Sequence, residues 1–105
     1  MSETSNGSIR YQVVYSELVR IELKKLIARA QERGLGPQVL DAVKEMDRLL
    51  HTRPRFGDPL IDLALQPGQL RMGTVPPLVV KYALYEDKRL VIVTRPIATL
   101  PHSGL

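Results

Sequence analysis

The stretch Leu78–Arg95 constrains the fold of this chain more than any other. It reads LVVKYALYEDKRLVIVTR, two runs rich in β-branched and aromatic residues on either side of a short charged break. The runs Leu78–Tyr85 and Leu90–Thr94 have the length and composition of buried strands, and the polar residues between them suit a hairpin loop. We therefore expect a β-hairpin at the centre of a sheet, covered by a layer that the rest of the chain supplies.

The length of the hairpin loop decides which side chains share a face. With a three-residue loop, Glu86–Lys88, Lys81 pairs with Val93 and lies on the same face as Arg95. With a four-residue loop, Lys81 and Arg95 point to opposite faces, because a slip of one residue inverts the pattern of a strand. The sequence leaves both registers open.

The first third of the chain predicts the covering layer. Residues 1–8 are small and polar, typical of a disordered tail, so a single domain is expected over residues 9–105. Ile9–Tyr15 alternates as a half-buried strand does. Ser16 is a good N-cap for a helix that ends near Arg33, where Gly34 suits the left-handed position after the last turn.

A second helix is expected from Pro37 to about His51, because proline is tolerated at the first helical position and apolar residues follow at helical spacing. The two helices form an αα-hairpin. Further on, Ile61–Leu65 and Leu70–Val75 flank a Pro-Gly turn and predict two more strands. The fold class is then α+β, with an antiparallel sheet of about four strands packed on the helical hairpin in the order β-α-α-β-β-β.

Composition restricts the cellular compartment and the kinds of partner that we expect for this protein. The chain has 105 residues and no cysteine, which excludes disulfides and thiolate metal sites. No apolar run approaches the roughly 18 residues that span a bilayer, and the polar start lacks the apolar stretch of a signal peptide. We expect a cytoplasmic protein with no membrane association. A formal net charge of +4 favours acidic or phosphate-rich partners.

The element order, the length, the basic charge and several local stretches resemble the RelE/ParE superfamily, the toxins of bacterial type II toxin–antitoxin pairs. The likeness covers roughly residues 9–101 and lies in element order and hydrophobic texture. The stretches that carry it are VVYSELVRIELKKL, FGDPL, QLRMG and KYALYEDKRLVIVTRPI.

This resemblance implies a toxin that is neutralised by a cognate antitoxin wrapped around it. In the family, ribosome-dependent endoribonucleases cut mRNA with basic residues on the open face of the sheet, and other members poison DNA gyrase without such residues. The expected function is therefore an mRNA interferase. The alternative is a non-catalytic binding member of the same fold, a gyrase inhibitor or an inactive relic.

Five residues are candidates for the nuclease site. Arg71 and Arg95 match arginines of the nuclease members and would hold the scissile phosphate, since a guanidinium binds two phosphate oxygens at once. Lys81 would add charge. His102 in the C-terminal segment would act as acid or base, with Asp62 a weaker candidate for the base. The scheme requires no metal or other cofactor.

The mixed charges of the first helix favour a solvated face over a nucleic-acid stripe. The grooves beside this helix are equally suited to an amphipathic segment of the antitoxin.

Overall fold

The computed structural model describes residues 10–63 and 67–105, so the predicted tail over residues 1–8 lies outside the described residues. Two α-helices and six short strands follow one another in the chain. They are β1 Gln12–Tyr15, α1 Glu17–Glu32, α2 Gly36–Thr52, β2 Asp58–Asp62, β3 Gln69–Val75, β4 Leu78–Tyr85, β5 Leu90–Val93 and β6 Ala98–Thr99.

Both ends of α1 are where the sequence predicts them. The Ser16 hydroxyl accepts a hydrogen bond from the Val19 amide at 3.2 Å, which satisfies one of the free donors of the first turn. At the other end Gly34 adopts φ +73°, and the Leu35 amide donates to the Ala30 carbonyl at 2.7 Å. This is a Schellman ending, and the left-handed residue in it is the glycine that the sequence supplies.

The α+β class is confirmed, but the predicted sheet is wrong in its details. The strands lie in the order β1-β5-β4-β3-β2, and β1 runs parallel to β5 while the other neighbours are antiparallel. The two-residue β6 pairs with the start of β4. Parallel pairing needs a long connection, which everything from α1 to β4 provides here, so it leaves no local signal in the sequence.

The strand β2 also differs from its prediction. It starts at Asp58, three residues earlier than expected, and includes Pro59, while residues 64–66 lie outside the described part. Proline is tolerated because β2 is the last strand of the sheet, where a missing amide donor costs nothing. All five residues of β2 are exposed, and its short length and Pro59 limit the backbone groups that it offers to a second sheet.

The central hairpin has the four-residue loop. Tyr82 pairs with Val93, and Tyr85 pairs with Leu90, which leaves Glu86–Arg89 as the connection. Arg89 closes this loop in the left-handed conformation, with φ 49° and ψ 50°. The register therefore excludes a Lys81–Val93 pair.

The helical hairpin packs onto one face of the sheet and leaves the other open. The core joins one stripe of each helix to alternate residues of β4 and β5, and its fully buried side chains with the largest volumes are Tyr82, Met46, Leu50, Leu78, Leu84, Val19, Val39, Val80 and Val91. This alternation is what a two-layer α+β domain requires of its central strands.

Tyr82 fastens the linker after α2 to the sheet. Its ring is fully buried and stacks on Phe56 with centroids 5.7 Å apart. Its hydroxyl donates to the Pro54 carbonyl and accepts from the Gly57 amide at 3.1 Å. Burial raises the pKa of this hydroxyl, which keeps the proton that it donates.

Replacing Tyr82 by phenylalanine should lower the free energy of unfolding by about 2 kcal/mol, because the Pro54 carbonyl and the Gly57 amide lose their partner inside the protein. Urea denaturation measures the change. The matched control is Tyr85→Phe, a half-buried tyrosine of the same strand on the open face. Equal losses in the two variants would contradict the anchoring role of Tyr82.

Candidate functional site

Arg71 lies on the helix side of the sheet, not on the open face where the nuclease hypothesis needs it. Its position in β3 is opposite Tyr82, whose side chain points into the core. The guanidinium donates to the Gly57 carbonyl at 3.1 Å, to the Arg55 carbonyl at 3.0 Å and to the Gln69 side chain. Its donors therefore hold the linker that follows α2, next to the Tyr82 hydroxyl.

Arg95 joins the end of β5 to the first helix. Its Nε lies 2.5 Å from Glu22 Oε2, and the other oxygen of the same carboxylate accepts from the Ile97 amide at 3.0 Å. The hydrogen bond from the Ile97 backbone and that from Arg95 lower the pKa of Glu22. Arg95 thus anchors the C-terminal segment on α1.

Of the other three candidates, Asp62 is linked to Arg71 through the Gln69 side chain, which bonds both, whereas Lys81 and His102 share no bond with another candidate. Lys81 is exposed on the open face, between Met72 of β3 and Thr94 beyond β5. Asp62 is in the last strand of the sheet and accepts a hydrogen bond from Gln69 at 3.0 Å. His102 is exposed in the C-terminal segment, with φ 64°. The structure does not gather the five candidates into one site.

The open face is mainly apolar, which the sequence hypothesis missed. The register aligns one residue from each of five strands in a row across it: Val14, Ile92, Ala83, Leu70 and Ile61. Ile61 is 59% exposed. In the sequence, these apolar residues alternate with the core residues of each strand. Whether they lie together on one face depends on the register of the strands, which the sequence does not show.

A groove runs between α1 and α2, and we call it the helical groove. Its cavity has a volume of about 490 Å³. Apolar side chains from both helices line it together with basic ones, and the full lining comprises Tyr15, Arg20, Leu23, Lys24, Ile27, Val43, Lys44, Met46 and Asp47. Three cations thus surround an apolar surface.

Asp47, the one carboxylate among the described residues that line the helical groove, bonds a neighbouring side chain. The Tyr15 hydroxyl donates to Asp47 Oδ1 at 2.6 Å, and burial together with this bond raises the pKa of Tyr15 far above its ordinary value. Arg20 Nε donates to the Tyr15 carbonyl at 3.2 Å, at one end of the helical groove. Lys24 and Lys44 are exposed and form no ion pair with any described residue. The rim therefore presents a positive potential.

Within residues 10–63 and 67–105 no cluster of three or more histidine, aspartate or glutamate side chains could hold a metal ion. Neither described helix combines the length and the apolarity that crossing a membrane requires.

Comparisons with known proteins do not add a family. No protein-family model matches the chain, and no match is found among curated proteins or among solved structures. The resemblance to RelE/ParE toxins therefore stays a prediction from the sequence.

Arg71→Ala should lower the free energy of unfolding by about 2 kcal/mol, because two linker carbonyls lose a charged donor. The control Lys81→Ala removes an exposed cation from the adjacent strand and should change stability by less than about 0.5 kcal/mol. Thermal and urea unfolding measure both. Unchanged stability of the Arg71 variant would contradict its role in holding the linker, and Arg71 would again be a candidate for binding the phosphate.

Proposed function

We propose that this protein is the toxin component of a type II toxin–antitoxin pair and that it acts by binding its target. The observation that carries the proposal is the helical groove, an apolar cleft with a basic rim on a two-helix layer. An amphipathic acidic segment of an antitoxin fits such a cleft, with its apolar side on the floor and its carboxylates at the rim. The sequence resemblance supplies the identity of that partner.

Charge and apolar surface make separate contributions to this interaction. Leu23, Ile27 and Val43 supply apolar area that is removed from water when a partner docks. Lys24 and Lys44 form no ion pair within the described residues, so no described carboxylate competes with that of a partner. A neutral apolar segment would leave these cations without a partner, which gives the groove its selectivity for an acidic one.

For the toxic activity we favour target binding over mRNA cleavage. Cleavage through the 2′-hydroxyl needs a base, a cation and an acid around one phosphate. The five candidates do not surround a common point, and Arg71 and Arg95 already bind groups of the protein itself. DNA gyrase is the target that the resemblance implies for members without nuclease residues.

Reversing the rim charge should weaken the antitoxin complex. The double variant Lys24→Glu with Lys44→Glu is expected to bind an acidic amphipathic helical peptide, used as the antitoxin probe, about 10-fold or more weakly, because like charges then meet at the interface. Calorimetric titration measures the affinity. The control, Lys25→Glu with Arg29→Glu, makes the same change of charge on the outward side of α1 and should bind nearly as the wild type does. Equal weakening by both variants would contradict docking in the helical groove.

Induced expression in a bacterial host should arrest growth without cuts in ribosome-bound mRNA, and Arg95→Ala should arrest it as well. Growth curves and mapping of mRNA ends in the same cultures test this. Cuts at the ribosomal A site that vanish in the Arg95 variant would establish the nuclease instead. An absence of arrest at verified expression of folded protein would contradict the toxin assignment.

A further inference from the structure

Five exposed cations gather at the end of the molecule where β1 begins, and we call this surface the cationic pole. They come from three segments that are far apart in the sequence. Its members are Arg10, Arg53, Arg55, Lys88 and Arg89. None of them lines the helical groove, so the cationic pole is a second surface.

Backbone contacts bring two of these segments to the start of β1. The Tyr11 amide donates to the His51 carbonyl at 2.9 Å, which places Arg10 beside the last turn of α2. The Gln12 amide donates to the Arg89 carbonyl at 2.8 Å, which places the hairpin loop on the other side of the same strand end.

A second set of contacts joins the linker after α2 to the hairpin loop, so that the three segments form a ring at this end of the sheet. Arg55 binds Glu86 with both ends of its guanidinium, at 2.9 and 2.6 Å, and so joins the linker after α2 to the hairpin loop. The Arg89 amide donates to the Glu86 carbonyl at 3.2 Å. Arg53 lies two residues before Arg55, and its carbonyl accepts from the Phe56 amide at 2.9 Å. The five cations therefore surround one end of the sheet.

The charge balance of this end is strongly positive. Within the described residues, the hairpin loop contributes two carboxylates to this ring, Glu86 and Asp87, and Glu86 is paired with Arg55. The other cations, Arg10, Arg53, Lys88 and Arg89, form no ion pair with a residue in the described part of the chain.

Arg89 is a charged residue at a position whose backbone conformation favours glycine. Its φ of 49° is in the left-handed region, which disfavours residues with a Cβ. The side chain is exposed, and backbone hydrogen bonds of Arg89 to Glu86 and Gln12 hold this conformation. Strain retained at an exposed position points to a use for the side chain.

We propose that the cationic pole binds the phosphate backbone of a nucleic acid, a role beyond the proposed binding of an antitoxin by the helical groove. Four of its five cations are arginines, whose planar fork matches phosphate oxygens. The large apolar side chains that the described residues expose, such as Leu18, Leu40 and Ile61, lie outside this pole. An amphipathic surface that inserts into a membrane and the core of a protein interface both use such apolar anchors, whereas a phosphate backbone is bound by cations alone.

Fluorescence anisotropy with labelled single-stranded RNA, single-stranded DNA and duplex DNA tests this proposal. The wild type should bind, with an affinity that falls as salt rises from about 50 to about 200 mM. The double variant Arg53→Gln with Arg89→Gly should bind about 10-fold or more weakly, and its salt dependence on duplex DNA should become shallower by about two units, one for each lost phosphate contact. The three probes show which nucleic acid is preferred.

The control Lys25→Gln with Arg29→Gln removes the same charge from the outward side of α1 and should bind as the wild type does. Because glycine fits the backbone of residue 89, the thermal midpoint of the first variant should not fall, so weaker binding would not reflect unfolding. Equal loss in both double variants, no binding by the wild type, or binding only to vesicles of phosphatidylglycerol would each overturn the proposal. None of these outcomes depends on whether an antitoxin occupies the helical groove.

Discussion

The linker Pro54–Gly57 is attached to the sheet by one buried tyrosine, and the connection of the helical layer to the sheet depends on that attachment. Tyr82 stacks on Phe56 and uses both hydrogen-bonding capacities of its hydroxyl on the linker backbone. Arg71 binds two carbonyls of the same linker from the neighbouring strand. Gly73 makes room for this arrangement, since a Cβ there would lie 2.4 Å from the Phe56 ring. The chain can thus turn from α2 into the sheet without burying unpaired backbone groups.

This attachment also organises the molecular surface. Because the linker is fixed, Arg55 can reach Glu86 across 31 residues of sequence and join the hairpin loop to the end of α2. The cationic pole forms because this ion pair brings the linker and the hairpin loop together. The helical groove has a different origin, since it follows from the packing of α1 against α2 and needs no contact with the linker. Two surfaces of positive charge therefore arise from independent parts of the fold.

Arg71 and Arg95, the two arginines that the sequence suggests as catalytic, bind groups of the protein itself. A guanidinium whose donors bind backbone carbonyls or a carboxylate can hold a phosphate only after these bonds break, which leaves protein groups unsatisfied. Arg71 and Arg95 are in this position, while Lys81 is exposed on the open face and forms no ion pair with a described residue. Apart from Lys81, the exposed cations discussed above that form no ion pair with a described residue lie on the helices, in the loops and just before β1. A sequence prediction that looks for catalytic residues on strands does not include these positions.

The sequence by itself determined the local elements. Ser16 and Gly34 marked the ends of α1, the apolar spacing marked both helices, and the β-branched runs marked the central hairpin, because these signals act within a few residues. Tertiary structure decided the rest. The four-residue loop, the parallel pairing of β1 with β5 and the side of the sheet that Arg71 occupies all depend on contacts between strands of the sheet. Such contacts form only when the whole sheet is assembled, and they determine which charges remain free to bind a partner.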